Sequence, residues 1–142
     1  MLAPNDQQIF LIDEDDVVRD SLKVLLESHG MPVQDYRNAD EFLADTATPR
    51  AGCLVLGYNR AIAGGLDLIA TLWRRSITLP VIFIVGGGDA VTRSAALAAG
   101  AFAYIERPVE ETALIRAVSA ALARKSGRVA VDPPAMAAPA RG

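Results

Sequence analysis

Short apolar runs alternate along this chain with longer stretches in which apolar residues recur at helical spacing, and the alternation repeats five times. The run Val81–Val85 is apolar at every position, which is typical of a strand buried on both faces. In Val17–Ser28, by contrast, Val18, Leu22 and Leu26 fall on one face of a helix. The pattern predicts an α/β fold, with a parallel sheet that carries helices on both faces.

The apolar runs and the turn residues between them set the expected boundaries. Strands are predicted at Ile9–Ile12, Pro32–Tyr36, Leu54–Leu56, Val81–Val85 and Phe102–Ile105. Helices are predicted at Val17–Ser28, from the N-cap Asn38 through Ala44, at Leu66–Arg75, from the cap Asp89 to Gly100, and at Glu110–Lys125. The mixed polarity of Pro32–Tyr36 indicates an edge strand, and Gly64-Gly65 is predicted to form a turn.

Composition narrows the class of protein. The 142 residues fit one domain, assigned to residues 1–125, followed by an Ala/Pro-rich tail over residues 126–142 that is predicted to be disordered. A net charge of -3 argues against a general nucleic-acid binder, and no apolar stretch approaches the roughly 20 residues of a membrane span. The polar N-terminus lacks a signal-peptide core, so the cytoplasm is the expected location. The single cysteine, Cys53, excludes an internal disulfide and is predicted to be buried.

Candidate chemistry gathers where the predicted strands end. In parallel α/β sheets the functional crevice lies beyond the carboxyl ends of the strands. Those ends carry Asp13, Glu14, Gly57, Val85, Gly86 and Arg107. We therefore expect these six residues to lie together.

The order and spacing of these features resemble the receiver domain of two-component response regulators, over about residues 7–123. The pattern is most similar to FixJ-like receivers, which often precede LuxR-type DNA-binding domains. The matching stretches are Ile12-Asp13-Glu14-Asp15, Val18-Arg19-Asp20-Ser21-Leu22, Ala39-Asp40-Glu41-Phe42-Leu43, Gly65, Leu79-Pro80-Val81-Ile82, Gly88-Asp89, Ala99-Gly100-Ala101 and Ile105-Glu106-Arg107-Pro108. The resemblance implies a flavodoxin-like (βα)5 doubly wound parallel sheet with strand order 2-1-3-4-5.

The resemblance also assigns a role to each residue of the crevice. A working receiver uses two acids that help to hold Mg²⁺, a phosphoacceptor aspartate, a Thr or Ser, and a Lys. Asp13 and Glu14 match the acids, Gly57 the phosphoacceptor, Val85 the hydroxyl residue and Arg107 the lysine. Glycine cannot accept a phosphoryl group and valine has no hydroxyl. The expectation is a degenerate phosphorylation site with no catalytic residue and no Mg²⁺ requirement, in which Asp13 and Glu14 are only weak metal candidates.

Two further residues and one contact complete the expected site. Tyr104 matches the switch-aromatic position, which moves between inward and outward rotamers in active receivers, and is predicted to be a packing residue here. Ala61 replaces a proline common after the third strand. Arg107 is predicted to bond directly to Asp13 or Glu14, in a bidentate pair, because Gly57 leaves room for the guanidinium.

These inferences predict an atypical, stand-alone response regulator that acts by phosphorylation-independent protein–protein interaction. The expected partner is a sensor histidine kinase or a transcription regulator, with a homodimer through the fourth helix, fifth strand and fifth helix as a further option. Direct contact with nucleic acid or a membrane is not expected. Two alternatives stay open: a small-molecule-sensing pseudo-receiver, suggested by Gly57 and Gly86-Gly87-Gly88, and phosphorylation on another acid such as Asp15 or Asp16.

Overall fold

The computed structural model describes residues 7–45, 51–58, 63–87 and 90–123. Five strands and five helices alternate in these ranges. They are β1 (Gln8–Ile12), α1 (Asp16–Ser28), β2 (Val33–Tyr36), α2 (Ala39–Ala44), β3 (Gly52–Tyr58), α3 (Ala63–Arg74), β4 (Val81–Val85), α4 (Ala90–Ala98), β5 (Ala103–Glu106) and α5 (Glu111–Ala123). None of the helices in the described part of the chain is both long and apolar enough to cross a membrane.

The five strands form one parallel sheet in the order β2-β1-β3-β4-β5. This confirms the predicted order and the prediction that β2 is an edge strand. The register aligns Ile12 with Tyr36 on one side and with Leu56 on the other. The carboxyl ends of β1, β2 and β3 therefore reach the same edge of the sheet, where the predicted site residues lie.

Alternate side chains of the strands feed two separate hydrophobic cores. On β4, Phe83 faces the core covered by α2, α3 and α4, and Ile84 faces the core covered by α1 and α5. Every residue of β4 is buried, as expected for a strand covered on both faces. The loops at the carboxyl edge of the sheet therefore extend from strands that are buried on both faces.

The central strand is longer than predicted. We expected Leu54–Leu56, but β3 runs from Gly52 to Tyr58 and continues through Gly57. The ladder pairs Gly57 with Ile84 and Tyr58 with Val85. Pairing with a neighbouring strand holds the backbone extended, and this outweighs the weak strand preference of glycine.

The predicted turn at Gly64-Gly65 is wrong, because both glycines belong to the first turn of α3. A Cβ atom on Gly65 would lie 2.9 Å from Phe83 Cζ and 2.9 Å from Tyr58 Cε2, closer than real Cβ contacts. Glycine is needed at residue 65 for close approach of the helix to the sheet, not for a turn.

Other boundaries differ by one or two residues. Helix α1 begins at Asp16 rather than Val17 because the Asp15 side chain accepts the N–H groups of Val17 and Val18 as the N-cap. The predicted N-cap Asn38 is confirmed, since its Oδ1 accepts the Glu41 N–H at 2.9 Å. Strand β5 is shifted by one residue, to Ala103–Glu106. The predicted cap Asp89, Ala61, the last residues of the final helix and the tail over residues 126–142 lie outside the described residues.

Candidate functional site

Asp13, directly after β1, is held at four points. Its Oδ1 accepts the Asp15 N–H at 2.9 Å, and its Oδ2 accepts a hydrogen bond from Arg107 Nη2 at 3.1 Å. Its own N–H donates to the Tyr36 carbonyl at 3.2 Å. Its carbonyl accepts a hydrogen bond from Arg19 Nη1 at 2.8 Å. These contacts fix both the backbone and the carboxylate of a buried acid.

Arg107, just beyond β5, reaches Asp13 at the opposite side of the crevice. The side chains of Arg107 and Asp13 are 21% and 6% exposed, so the ion pair is largely shielded from water. Of the two predicted partners of Arg107, the structure shows a contact with Asp13 and not with Glu14. The predicted bidentate geometry is not found, because only Nη2 contacts the carboxylate and the buried Nε has no hydrogen-bond partner among the described residues.

Gly57 lies between these two partners, on β3. A Cβ atom built on Gly57 would overlap Asp13 Oδ2 and would lie 2.9 Å from Asp13 Cγ and 3.0 Å from Arg107 Nη2. Its φ angle is not among the positive values of the described glycines, so the backbone conformation does not require glycine. The requirement comes instead from the Asp13–Arg107 pair, which fills the space of the first side-chain carbon.

Val85 is the last residue of β4, and Tyr104 lies within β5. The Val85 side chain is fully buried and brings no hydroxyl to the crevice. Tyr104 is buried in the core beneath α2, α3 and α4, in register with Phe83. The guanidinium of Arg93, on α4, lies 5.8 Å from the centroid of the Tyr104 ring, within range of a cation–π contact. The ring therefore points inward and packs.

Glu14 lies apart from the ion pair, at a pocket of about 210 Å³. The pocket is lined by Ile12, Glu14, Asn38, Ala39, Asp40, Gly57, Tyr58 and Gly64. Burial raises the pKa of Tyr58 to about 12, and the nearby carboxylates of Glu14, Asp13 and Asp67 add to that effect. The pocket thus has an acidic wall and an aromatic wall.

The carboxylates at this edge do not fit a Mg²⁺ ion. Mg²⁺ takes oxygen ligands in near-octahedral geometry, but both Asp13 oxygens already accept hydrogen bonds, one of them from a cation. Residue 57 supplies no carboxylate. Throughout the described ranges, no three His, Cys, Asp or Glu residues are grouped as a metal site would require.

Sequence reasoning missed the contribution of Arg19. Besides the Asp13 carbonyl, its guanidinium binds Asp16 at 2.7 Å and Asp35, on β2, at 3.1 Å. Lys23 Nζ also binds Asp35, at 3.2 Å. The Asp16–Arg19 spacing of three residues is visible in the sequence, but the contacts with Asp35 and Asp13 depend on how α1 packs against the sheet.

The pKa values of this cluster reflect its ion pairs. Burial alone would raise the pKa of Asp35, but the hydrogen bonds and charges of Lys23 and Arg19 outweigh it and lower the pKa. Burial alone would lower the pKa of Arg19, but hydrogen bonds from that side chain to Asp16 and Asp35, together with their charges, raise it. Both groups therefore stay charged over the physiological range.

Comparison with known proteins accounts for this architecture. A model of the response regulator receiver domain matches residues 9–119. The transcriptional regulatory protein TdiR of Thauera aromatica is 36% identical over 119 residues, which are 84% of this chain and 52% of TdiR. The transcriptional regulatory protein FixJ of Azorhizobium caulinodans is 35% identical over 123 residues, which are 87% of this chain and 58% of FixJ.

The chain spans a little over half the length of these two relatives. Among solved structures, the crystal structure titled FixJ-N superposes with a TM-score of 0.77 and 31% identity, covering 89% of this chain and 99% of that one. The match includes every described strand and helix except the last residues of α5 and the first residue of β1. The chain therefore belongs to the response regulator receiver domain family.

Proposed function

We propose that this receiver domain is a pseudo-receiver, which acts in two-component signalling or transcriptional control by protein–protein interaction and without phosphorylation. One observation carries the proposal: Gly57 has no acceptor group, and the Asp13–Arg107 pair occupies the space that a side chain there would need. We assign no catalytic residue and no cofactor. The neighbouring acids support this, because Asp15 is engaged as the N-cap of α1 and Asp16 in an ion pair with Arg19.

The direct test is treatment with acetyl phosphate, with and without Mg²⁺, followed by intact-mass measurement. We expect no added phosphoryl group and no effect of Mg²⁺ on the melting temperature. A FixJ receiver treated in parallel controls for the reagent. A stoichiometric phosphoryl adduct would contradict the proposal, and peptide mapping of that adduct to Asp15 or Asp16 would establish the alternative in which another acid is the acceptor.

The proposed partners are a sensor histidine kinase or a transcription regulator, with the cytoplasm as the place of action. Sequence similarity supports these partners. TdiR and FixJ are named as transcriptional regulatory proteins, and TmoT of Ectopseudomonas mendocina, which is 34% identical, is named as a response regulator. The net charge of -3 favours a protein partner over direct nucleic-acid contact.

The proposed contact surface, for a partner or a second copy, is formed by α4, β5 and α5. On α4, Val91 is 76% exposed and Leu97 is 41% exposed, and Ala98 lies at the surface beside them. The substitution Ala98→Arg should weaken self-association or partner binding in sedimentation and pull-down measurements. The control is Ala70→Arg, at an exposed position on α3. Equal binding by both variants would argue against this surface.

A small-molecule sensor is the second candidate, favoured by the pocket beside Gly57. Its volume of about 210 Å³ is below the roughly 300–1,000 Å³ usual for ligand sites, which limits the ligand to a small one. Glu14 and Asp40 favour a cationic ligand over a phosphate. A stoichiometric small molecule in native mass spectrometry of the purified protein would favour the sensor over the interaction module. The absence of such a molecule would favour the interaction module.

A further inference from the structure

A chain of ion pairs and hydrogen bonds runs along the carboxyl edge of the sheet. It begins with Lys23 on α1, passes through Asp35 on β2 to Arg19, continues to the Asp13 carbonyl and ends at Arg107 beyond β5. The successive distances are 3.2, 3.1, 2.8 and 3.1 Å. We name these five residues the charged chain. It connects the two edge strands of the sheet and passes through the residue that blocks Gly57.

We infer that Arg19 is the positioning residue that keeps Asp13 in the space above Gly57, and that Asp35, on the α1–β2 surface, is coupled through Arg19 to the crevice. This inference deepens the proposed function and rests on it. Arg19 has no contact with Gly57 in this arrangement and acts through Asp13. Its hydrogen bond holds the backbone, while Arg107 and the Asp15 N–H hold the carboxylate.

The position of the Asp13 carboxylate depends on the position of the Asp13 backbone. A carboxylate at the end of a free side chain could rotate away from a new Cβ atom at small cost. Asp13 lacks that freedom because it is buried and both of its ends accept charge-assisted hydrogen bonds. Loss of Arg19 removes one of the two hydrogen bonds to the Asp13 backbone and leaves that of the Asp13 N–H to the Tyr36 carbonyl. The loop after β1 can then shift, and the carboxylate shifts with it.

The outer part of the charged chain is open to a partner. The side chains of Lys23 and Asp35 are 34% and 31% exposed, whereas that of Arg19 is 16% exposed. A basic partner group that binds Asp35 competes with Arg19 for the same carboxylate. Binding at this surface would thereby loosen Asp13 and change the crevice. A protein that is not phosphorylated could in this way still transmit binding at one surface to another.

A double-mutant cycle tests the coupling, because a claim of communication between sites needs a measured interaction. Gly57→Ala forces Asp13 to move, so it should lower the melting temperature by several degrees in the wild-type chain. In the Arg19→Met background, which keeps the aliphatic stem, the same substitution should lower it by less than half as much. If Arg19→Met does not fold, Asp35→Asn provides the background, with a smaller but same-signed effect.

Lys23→Met is the matched control. It removes a cation that binds Asp35 but does not contact Asp13, so Gly57→Ala should cost as much in this background as in the wild type. Additive effects in the Arg19→Met or Asp35→Asn background would overturn the inference. An equal reduction in the Lys23→Met background would also overturn it, since the effect would then report general loosening of α1.

Failure of this inference is distinguishable from failure of the proposed function. If the substitutions lower the melting temperature additively and no acetyl-phosphate adduct forms, the pseudo-receiver proposal stands and only the role of Arg19 is contradicted. An adduct would contradict the proposed function whatever the cycle shows.

Discussion

At the residue scale, the packing around Gly57 depends on the absence of a side chain there. Gly57 leaves a gap at the carboxyl end of β3, and a buried acid and a cation from opposite sides of the crevice fill it. An aspartate at residue 57 would place a second carboxylate beside Asp13 and Arg107, and the crevice would need an additional cation to balance it. With glycine there, Arg107 can neutralise Asp13 alone.

Replacing Arg107 should show how much its ion pair with Asp13 contributes to the free energy of unfolding. Arg107→Met leaves Asp13 buried with the Asp15 N–H as the remaining hydrogen bond to its carboxylate. We expect the free energy of unfolding to fall by about 2 kcal/mol, between the values typical of exposed and fully buried ion pairs. Urea denaturation monitored by circular dichroism measures it. Arg107→Lys, which keeps the charge, should lose less, and an unchanged midpoint for Arg107→Met would show that the pair contributes nothing.

The sequence predicts part of this cluster. Two acids after β1 and a base after β5, with a glycine at the end of the central strand between them, are enough to predict an ion pair with Arg107. They do not determine that Asp13 is the partner and Glu14 is not, because that depends on the direction in which the loop leaves β1. The contact of Arg19 with the Asp13 carbonyl was not predicted, since a backbone acceptor leaves no mark in the sequence.

At the element scale, two adjacent glycines in the first turn of α3 have different surroundings. Gly65 faces the rings of Phe83 and Tyr58. Among the residues that the structure describes, a Cβ atom on Gly64 would meet only Tyr58, at 3.6 Å from Oη and 3.9 Å from Cε1. A pair of glycines in a sequence usually indicates a turn, so α3 was predicted to begin three residues late. Helix–sheet packing, which the sequence does not display, decides the start of this helix.

The two glycines form a matched pair for mutation. Gly65→Ala should lower the free energy of unfolding by about 1–3 kcal/mol, because the new methyl group overlaps two aromatic rings that are packed in the core. Gly64→Ala should leave stability unchanged or raise it, because alanine favours the helix and the contact with Tyr58 has an ordinary length. Thermal unfolding of both variants measures the difference. Equal melting temperatures would show that α3 shifts outward at no cost.

At the scale of the whole molecule, two apolar cores enclose one sheet, and the alternation of strands and helices predicts that arrangement without the coordinates. Cys53 lies on the central strand and is fully buried in the core beneath α1 and α5. Burial raises the pKa of its thiol to about 12. The thiol therefore stays protonated and inaccessible in the folded protein at neutral pH.

This makes the single cysteine a reporter of global unfolding. In native buffer the reaction with a thiol reagent should be slow and limited by opening of the sheet. In urea above the unfolding midpoint it should be fast. No other cysteine is present, so the whole signal comes from Cys53. Fast labelling in native buffer, at the rate seen in urea, would mean that the core beneath α1 and α5 opens without unfolding of the rest.

The filled space at Gly57 has a consequence for evolution. One base change converts a glycine codon into an acidic one, so a carboxylate at residue 57 is always a single mutation away. That mutant, however, would find Asp13 and Arg107 already in its place. The acid gains room only if Asp13 and Arg107 shift or a further residue changes, so we expect the acidic mutation alone to lower stability. The Asp13–Arg107 pair thus makes an acid at residue 57 costly unless a second substitution gives it room.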